Sequence, residues 1–242
     1  MTVYRDQGIV LRTWKLGETD RILHVLTQGR GLVRAVAKGV RRPGSRFGGR
    51  LEPYSHVDLQ LYAGRNLDVV SQAELIEAFA AVREDYTLSA CAATMVEAAD
   101  RVAQEGERNL PVFLLLRAGL QALSARPPYP AIFVDAFLLR LTSVSGYHLF
   151  VEACALCRAP GPHPFLSVTA GGALCRGCAP GGSRALDPDT IALVRLLGGT
   201  DWVALPGAAE QVGPRRDAAA FVRAFVEHHL ERQLRSYPLV PR

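Results

Sequence analysis

Arg21-Ile22-Leu23-His24-Val25-Leu26-Thr27-Gln28-Gly29-Arg30-Gly31-Leu32-Val33-Arg34-Ala35-Val36-Ala37 is the stretch on which the fold of the N-terminal part turns. Arg21 to Thr27 is rich in β-forming residues, and Gln28 to Gly31 is a turn signal. From Leu32 to Ala37 a second strand follows, with Leu32, Arg34 and Val36 on one face and Val33, Ala35 and Ala37 on the other.

Working outward, Gly8 to Thr13 reads as a strand before these two. Val57-Asp58-Leu59-Gln60-Leu61-Tyr62 alternates apolar and polar residues as a half-buried strand does, and Gly64-Arg65-Asn66 turns the chain into Leu67 to Ser71. Five short strands within about 75 residues predict a small barrel, and the OB-fold is one five-stranded candidate, whose strand face and loops commonly bind nucleic acid. Trp14 and Tyr62 read as packing residues.

Beyond Glu74 the texture changes. Residues 74–105 are Ala-rich without Pro or Gly and read as helix, in one or two pieces. Pro111 suits the opening of the next helix, which Arg126-Pro127-Pro128 ends. Phe133, Phe137, Leu141 and Val144 then recur at helical spacing, up to a stop at Gly146. A loop-rich insert occupies residues 147–185. Asp187-Pro188 is an N-cap followed by proline at the first helical position, and a last helix is expected from Asp217 to about Arg235. The two prolines after Tyr237 predict an extended tail.

The insert carries Cys154, Cys157, Cys175 and Cys178: a Cys-x₂-Cys pair, seventeen residues, and a second such pair. That spacing is that of a four-thiolate zinc site, with glycines allowing the tight turns that each sulfur pair needs. Two disulfides are the competing reading and need an oxidising compartment. No apolar leader opens the chain, so the expected location is the cytoplasm, and a single structural zinc ion is expected. Four thiolates close the metal's shell, which excludes the open position of a catalytic zinc. His148 and Glu152 come near a zinc-deaminase signature but fail it, being four residues apart and directly before the first cysteine pair. Cys91, in the Ala-rich helix, reads as a small buried residue.

The sequence holds no Walker loop, Gly-x-Ser-x-Gly elbow or His-Glu-x-x-His helix, and its carboxylates are scattered. This composition describes a binding protein, not an enzyme. Charge says to what: the 242-residue chain has a net charge of +5, yet residues 1–50 alone hold eleven Arg and Lys against three acids. The partner expected for that end is a polyanion. Ala37-Lys38-Gly39-Val40-Arg41-Arg42-Pro43-Gly44-Ser45-Arg46-Phe47-Gly48-Gly49-Arg50 is a strand end running into a Gly- and Arg-rich loop. Arg34, Lys38, Arg41, Arg42, Arg46 and Arg50 are the candidate phosphate contacts at one mouth of the barrel. Phe47 can stack on a base or plug the barrel end.

Gly8-Ile9-Val10-Leu11-Arg12, Gly17-Glu18-Thr19-Asp20, Gly29-Arg30-Gly31-Leu32 and Ala37 to Arg42, with Ser45-Arg46-Phe47 and Leu51-Glu52-Pro53, resemble the bacterial recombination mediator family RecO over residues 3–80. The helical region and the cysteines follow in consistent order. The resemblance implies an α+β multidomain protein: an N-terminal five-stranded OB-fold β-barrel over residues 1–78, and an α-helical C-terminal domain over 79–242 with an inserted zinc module at about 148–182. It also implies binding of single- and double-stranded DNA, strand annealing, and work with RecR that helps RecA displace single-strand-binding protein, in the cytoplasm at the nucleoid. The family binds the acidic, apolar tail of single-strand-binding protein. Such a tail needs an apolar groove beside an arginine, for which Arg117 and Arg140 are the candidates. An RNA-binding or ribosome-associated barrel with a zinc module is the rival reading, and a hydrolase with an unrecognised site is a third.

Overall fold

The computed structural model describes residues 2–208, 210–231 and 233–242. The chain forms two compact units, divided after Ala125.

In the first unit, β1 (Val3–Leu16), β2 (Asp20–Thr27), β3 (Gly31–Ala37), β4 (His56–Tyr62) and β5 (Asp68–Glu77) close a barrel in the order β1-β2-β3-β5-β4. This is the five-stranded Greek-key OB arrangement. Closure depends on β1, whose first half pairs with β4 and whose second half pairs with β2. The strand bends between them, at an irregularity between Val10 and Arg12. At Gly8, paired with both β2 and β4, a Cβ would stand 2.4 Å from Val25 Cγ1, so any side chain there would have to displace Val25 in the barrel core. The alternation read from the sequence holds: Val33, Ala35 and Ala37 of β3 and Val57, Leu59 and Leu61 of β4 line the barrel core.

β5 runs on to Glu77, past the expected end at Ser71. Glu74 and Leu75 pair with Asp58 and Val57 of β4, and this ladder overrides the helical preference of the local sequence. Helix begins only after Phe79, with α1 (Ala80–Glu84), α2 (Tyr86–Val102) and α3 (Leu110–Ser124). Asp85 caps α2 by accepting from Leu88 N, and Asn109 caps α3 by accepting from Val112 N. These helices belong to the same compact unit as the barrel. Asp100 of α2 receives Arg12 at 3.3 Å and His24 at 3.0 Å, and Leu32 N donates to Gln104 O. Gly31, at φ +67°, lies so close to the α2–α3 connection that a Cβ would sit 1.9 Å from Glu107 O.

The second unit is built on α4 (Pro130–Val144), where every residue from Ala131 to Thr142 is buried. Three residues of the expected stripe are therefore core, while Val144 is exposed. α5 (Pro188–Gly198) and α7 (Val212–His229) pack on α4, with the short α6 (Leu205–Ala208) beside them. Asp187 caps α5 as expected, accepting from Asp189 N. α7 starts before Asp217 and ends at His229. The tail is not extended. Tyr237–Leu239 is a 3₁₀ turn, and the Tyr237 hydroxyl donates to the buried Asp135 carboxylate and to Ala219 O. Arg242 forms a two-pronged ion pair with the same carboxylate, at 2.8 and 2.9 Å. Between α4 and α5 lies the cysteine insert, with a small hairpin of β6 (Phe165–Ser167) and β7 (Gly172–Leu174).

Candidate metal centre and nucleic-acid interface

The four cysteines of the insert converge. Each offers one sulfur, and all four sulfurs lie within 4.8 Å of one another, Cys157 and Cys175 at 3.7 Å. A tetrahedral ion about 2.3 Å from each sulfur needs sulfurs about 3.8 Å apart. The donor set therefore fits one four-coordinate metal. Its surroundings are prepared for thiolates: N–H groups of Cys157, Cys175 and Leu156 point at Cys154 Sγ and hold its thiol down to about 5. Hydrogen bonding with the other three sulfurs pushes the Cys178 thiol up to about 12. Only with a cation among them could all four sulfurs be thiolates at these distances. His163, outside both pairs, bonds Ala159 O instead. Glu152 and Arg195 join the insert to α5 at 2.6 Å, and Leu186 N donates to Pro164 O.

The basic loop between β3 and β4 folds by a division of labour. Val40, Phe47 and Leu51 turn inward and complete the barrel core, with Phe47 only 1% exposed. Phe47 is therefore the barrel plug, and its use as a base-stacking residue is corrected: its ring has no free face, with the Arg46 guanidinium over it at 4.9 Å. Lys38, Arg41, Arg42, Arg46 and Arg50 all remain exposed. The loop is clipped to the β1–β2 turn. Gly39 N donates to the Asp20 carboxylate at 2.7 Å, Arg41 N to Thr19 O, and Arg41 Nη1 to Glu18 O. Gly39 and Thr19 lower the Asp20 pKa, with help from Arg42 and Lys38 nearby. Glu52 pairs with Arg21 at 2.9 Å. Among the described residues none of the five loop cations has a carboxylate within ion-pair distance.

Arg34 stands apart from that loop, in a polar cleft with Arg5, Arg30 and Arg65, and 3.9 Å from Glu105. Arg30 and Arg65 were not singled out from sequence, although each sits in one of the turn signals flanking a strand. Arg46 and Arg50 instead share a groove with Tyr62. Trp14 and Tyr62, expected to pack, are 46% and 38% exposed.

Of the two arginines expected to meet a peptide tail, Arg140 is engaged inside the second unit. Arg140 is 5% exposed, donates to Leu197 O and Asp201 O, and lies 4.1 Å over the Trp202 ring. Burial pulls its pKa down to about 10. It braces the α4–α5 core and is withdrawn as a partner contact. Arg117 is half-buried in the first unit, where its charge helps depress the pKa of His56. An apolar cleft does exist in the second unit, of about 530 Å³, floored by Ile132, Leu193 and Leu197 and rimmed by Arg215, Arg216 and Arg223.

Family models match nearly the whole chain: "Recombination protein O N terminal" over residues 1–79 and "Recombination protein O C terminal" over 83–238. The chain belongs to the RecO family. Proteins named DNA repair protein RecO from Thermobifida fusca (strain YX) and Frankia casuarinae are each 45% identical over the full length of both chains. One from Nocardioides sp. (strain ATCC BAA-499 / JS614) is 46% identical over 99% of this chain and 100% of its own. RecO is thus a DNA repair and recombination family whose barrel is an OB-fold. The motifs that carried the resemblance now have physical roles. Gly17 to Asp20 and Lys38 to Arg42 are the two halves of the loop clip, and Leu51-Glu52 supplies a core residue and an ion pair. Among the described residues no helix is long and apolar enough to cross a membrane.

Proposed function

We propose that this RecO family member is a non-enzymatic recombination mediator. It binds single- and double-stranded DNA through the barrel loop, anneals complementary strands and, with RecR, helps RecA replace single-strand-binding protein. The observation that carries the reading is the group of five exposed loop cations with no paired carboxylate, on a loop fixed to the barrel by Phe47 and Leu51. Such cations exchange counterions for phosphates irrespective of sequence. Annealing then follows from screening two strands on one protein, with no covalent step. The protein works in the cytoplasm at the nucleoid.

The metal in this reading is zinc, held by Cys154, Cys157, Cys175 and Cys178, and it supplies only a cross-link within the insert. The tail of single-strand-binding protein occupies the cleft of Ile132, Leu193 and Leu197, its carboxylates meeting Arg215 and Arg216, while Arg223 is paired with Glu227. Arg216→Ala weakens a fluorescent tail peptide severalfold in a titration; unchanged affinity removes that cleft from the reading.

The decisive experiment is annealing of complementary strands coated with single-strand-binding protein, across a salt series. Combined Lys38→Ala, Arg41→Ala and Arg42→Ala substitution weakens DNA binding uniformly across sequences. It also reduces the slope of log affinity against log salt by about 2 to 3. Unaltered affinity at low salt refutes the loop assignment. Activity on RNA alone would favour the RNA-binding reading.

A further inference from the structure

With Phe47 buried, the basic loop has no base-stacking group of its own, yet the barrel surface beside it supplies one. The inward turn of Val57, Leu59 and Leu61 sends Gln60 and Tyr62 to the outside of β4, and Gln72 of β5 pairs directly with Gln60. These residues, with Ser71, line an open groove of about 750 Å³ whose other wall is Arg46 and Arg50. Among the described residues the Tyr62 hydroxyl and the Gln60 and Gln72 amides have no hydrogen-bond partner. The single carboxylate of the lining, Glu74, lies 3.6 Å from Arg5 Nη2 and is partly neutralised by it.

An exposed aromatic ring, two free amides and two guanidinium groups that have no carboxylate partner among the described residues, although Arg50 also donates to Arg46 O and Arg46 lies over Phe47, match the chemistry of an unpaired nucleotide strand. Guanidinium groups take phosphates, the ring takes a base face, and amides take base edges. A duplex hides its base faces in the stack and offers Tyr62 nothing. A groove with this many polar groups is a poor seat for an apolar peptide.

We propose that Tyr62 stacks on a base of a single strand whose backbone runs past Arg46 and Arg50, making this groove the single-strand-selective part of the barrel. This rests on the DNA-binding reading above and adds a site and a selectivity to it. The three loop cations Lys38, Arg41 and Arg42 then serve both single strands and duplex, while Tyr62 serves single strands alone.

The test uses the full chain and fluorescein-labelled oligothymidylate of about 15 nucleotides, beside a duplex of equal length. Tyr62→Ala lowers single-strand affinity about five- to a hundredfold, the range expected for losing one stacked base. Duplex affinity and the salt slope stay as in the parent, and Tyr62→Phe binds like the parent. Should Tyr62→Ala unfold at the assay temperature, Tyr62→Ile keeps a strand-forming apolar side chain without the π-face and is read the same way. Parental single-strand affinity in the folded variant overturns the groove, as does an equal loss on single strand and duplex. If the groove alone is wrong, the triple loop variant still binds weakly. If the parent binds neither DNA form, the DNA-binding reading itself has failed.

Discussion

Cys154 is the buried member of the four-cysteine cluster, the other three being partly or fully exposed. It is fully buried, and three backbone N–H groups point at its sulfur, so the polypeptide around it is shaped for a thiolate. Removing that sulfur leaves three anions and an open position. Cys154→Ser is therefore expected to lose bound zinc, measured by a colorimetric chelator assay, and to melt earlier or aggregate, while whatever remains soluble keeps most of its DNA affinity. A zinc-free variant of parental stability would refute the structural role. The same scale shows why some residues were legible in sequence and others not. Cysteine ligands announce themselves by local spacing. Phe47 sits in a Gly- and Arg-rich loop that looks exposed in sequence, and it is buried by joining a barrel core whose other members, such as Val10, Leu61 and Val70, lie elsewhere in the chain. Arg140 is likewise hidden from local reading, because its acceptors belong to residues 197 and 201.

Among the elements, α3 and the start of β4 meet at His56. The imidazole is 3% exposed, has an edge-on contact with Phe113 at 5.7 Å, and has no partner for Nε2. Burial first, and then the Arg117 charge, lower its pKa, with Glu77 and Asp58 opposing weakly. A histidine whose folded pKa lies below its unfolded value near 6.5 adds no pH dependence above 6.5. As pH falls below 6.5 the unfolded chain takes up a proton that the folded one refuses, and stability drops until the folded pKa is passed. His229, also lowered by burial, acts in the same direction in the second unit. His56→Gln should flatten the decline in melting temperature of the first unit between about pH 6.5 and 5. The removed slope is at most about 1.4 kcal/mol per pH unit; an unchanged slope would show that another group carries it. Strands were legible as elements wherever one face is buried, as in β3 and β4. The last part of β5 was not, because its partner is fixed by the register with β4 and not by its own residues.

For the molecule as a whole, sequence texture and compactness divide the chain differently. The matched family models part at residues 79 to 83, whereas α1 to α3 belong to the compact unit that contains the barrel. An ion pair from Arg12 to Asp100, the approach of His24 Nδ1 to the same carboxylate at 3.0 Å, and the seat of Gly31 against the α2–α3 connection tie those helices to the strands. A fragment of residues 1–125 is expected to fold and bind DNA. One of residues 1–79 should unfold at lower denaturant or be insoluble, having lost those partners. Equal denaturation midpoints would show that the barrel stands alone. The tail gives a second example of reach: Tyr237 and Arg242 close on Asp135, some hundred residues earlier, which no reading of the proline-rich terminus reveals.

The plugging of the barrel by Phe47 also bears on genetics. If the loop arginines hold DNA as proposed, a screen for alleles defective in recombination would recover Phe47→Ala or Leu51→Ala alongside losses of those arginines, and an electrophoretic shift at one temperature would not separate them. They differ in kind: emptying the barrel end costs about 3 to 5 kcal/mol for a buried phenylalanine, so its phenotype should be heat-sensitive and suppressible by stabilising changes elsewhere. Loss of Lys38 or Arg42 should be insensitive to temperature and relieved only by lowering the salt.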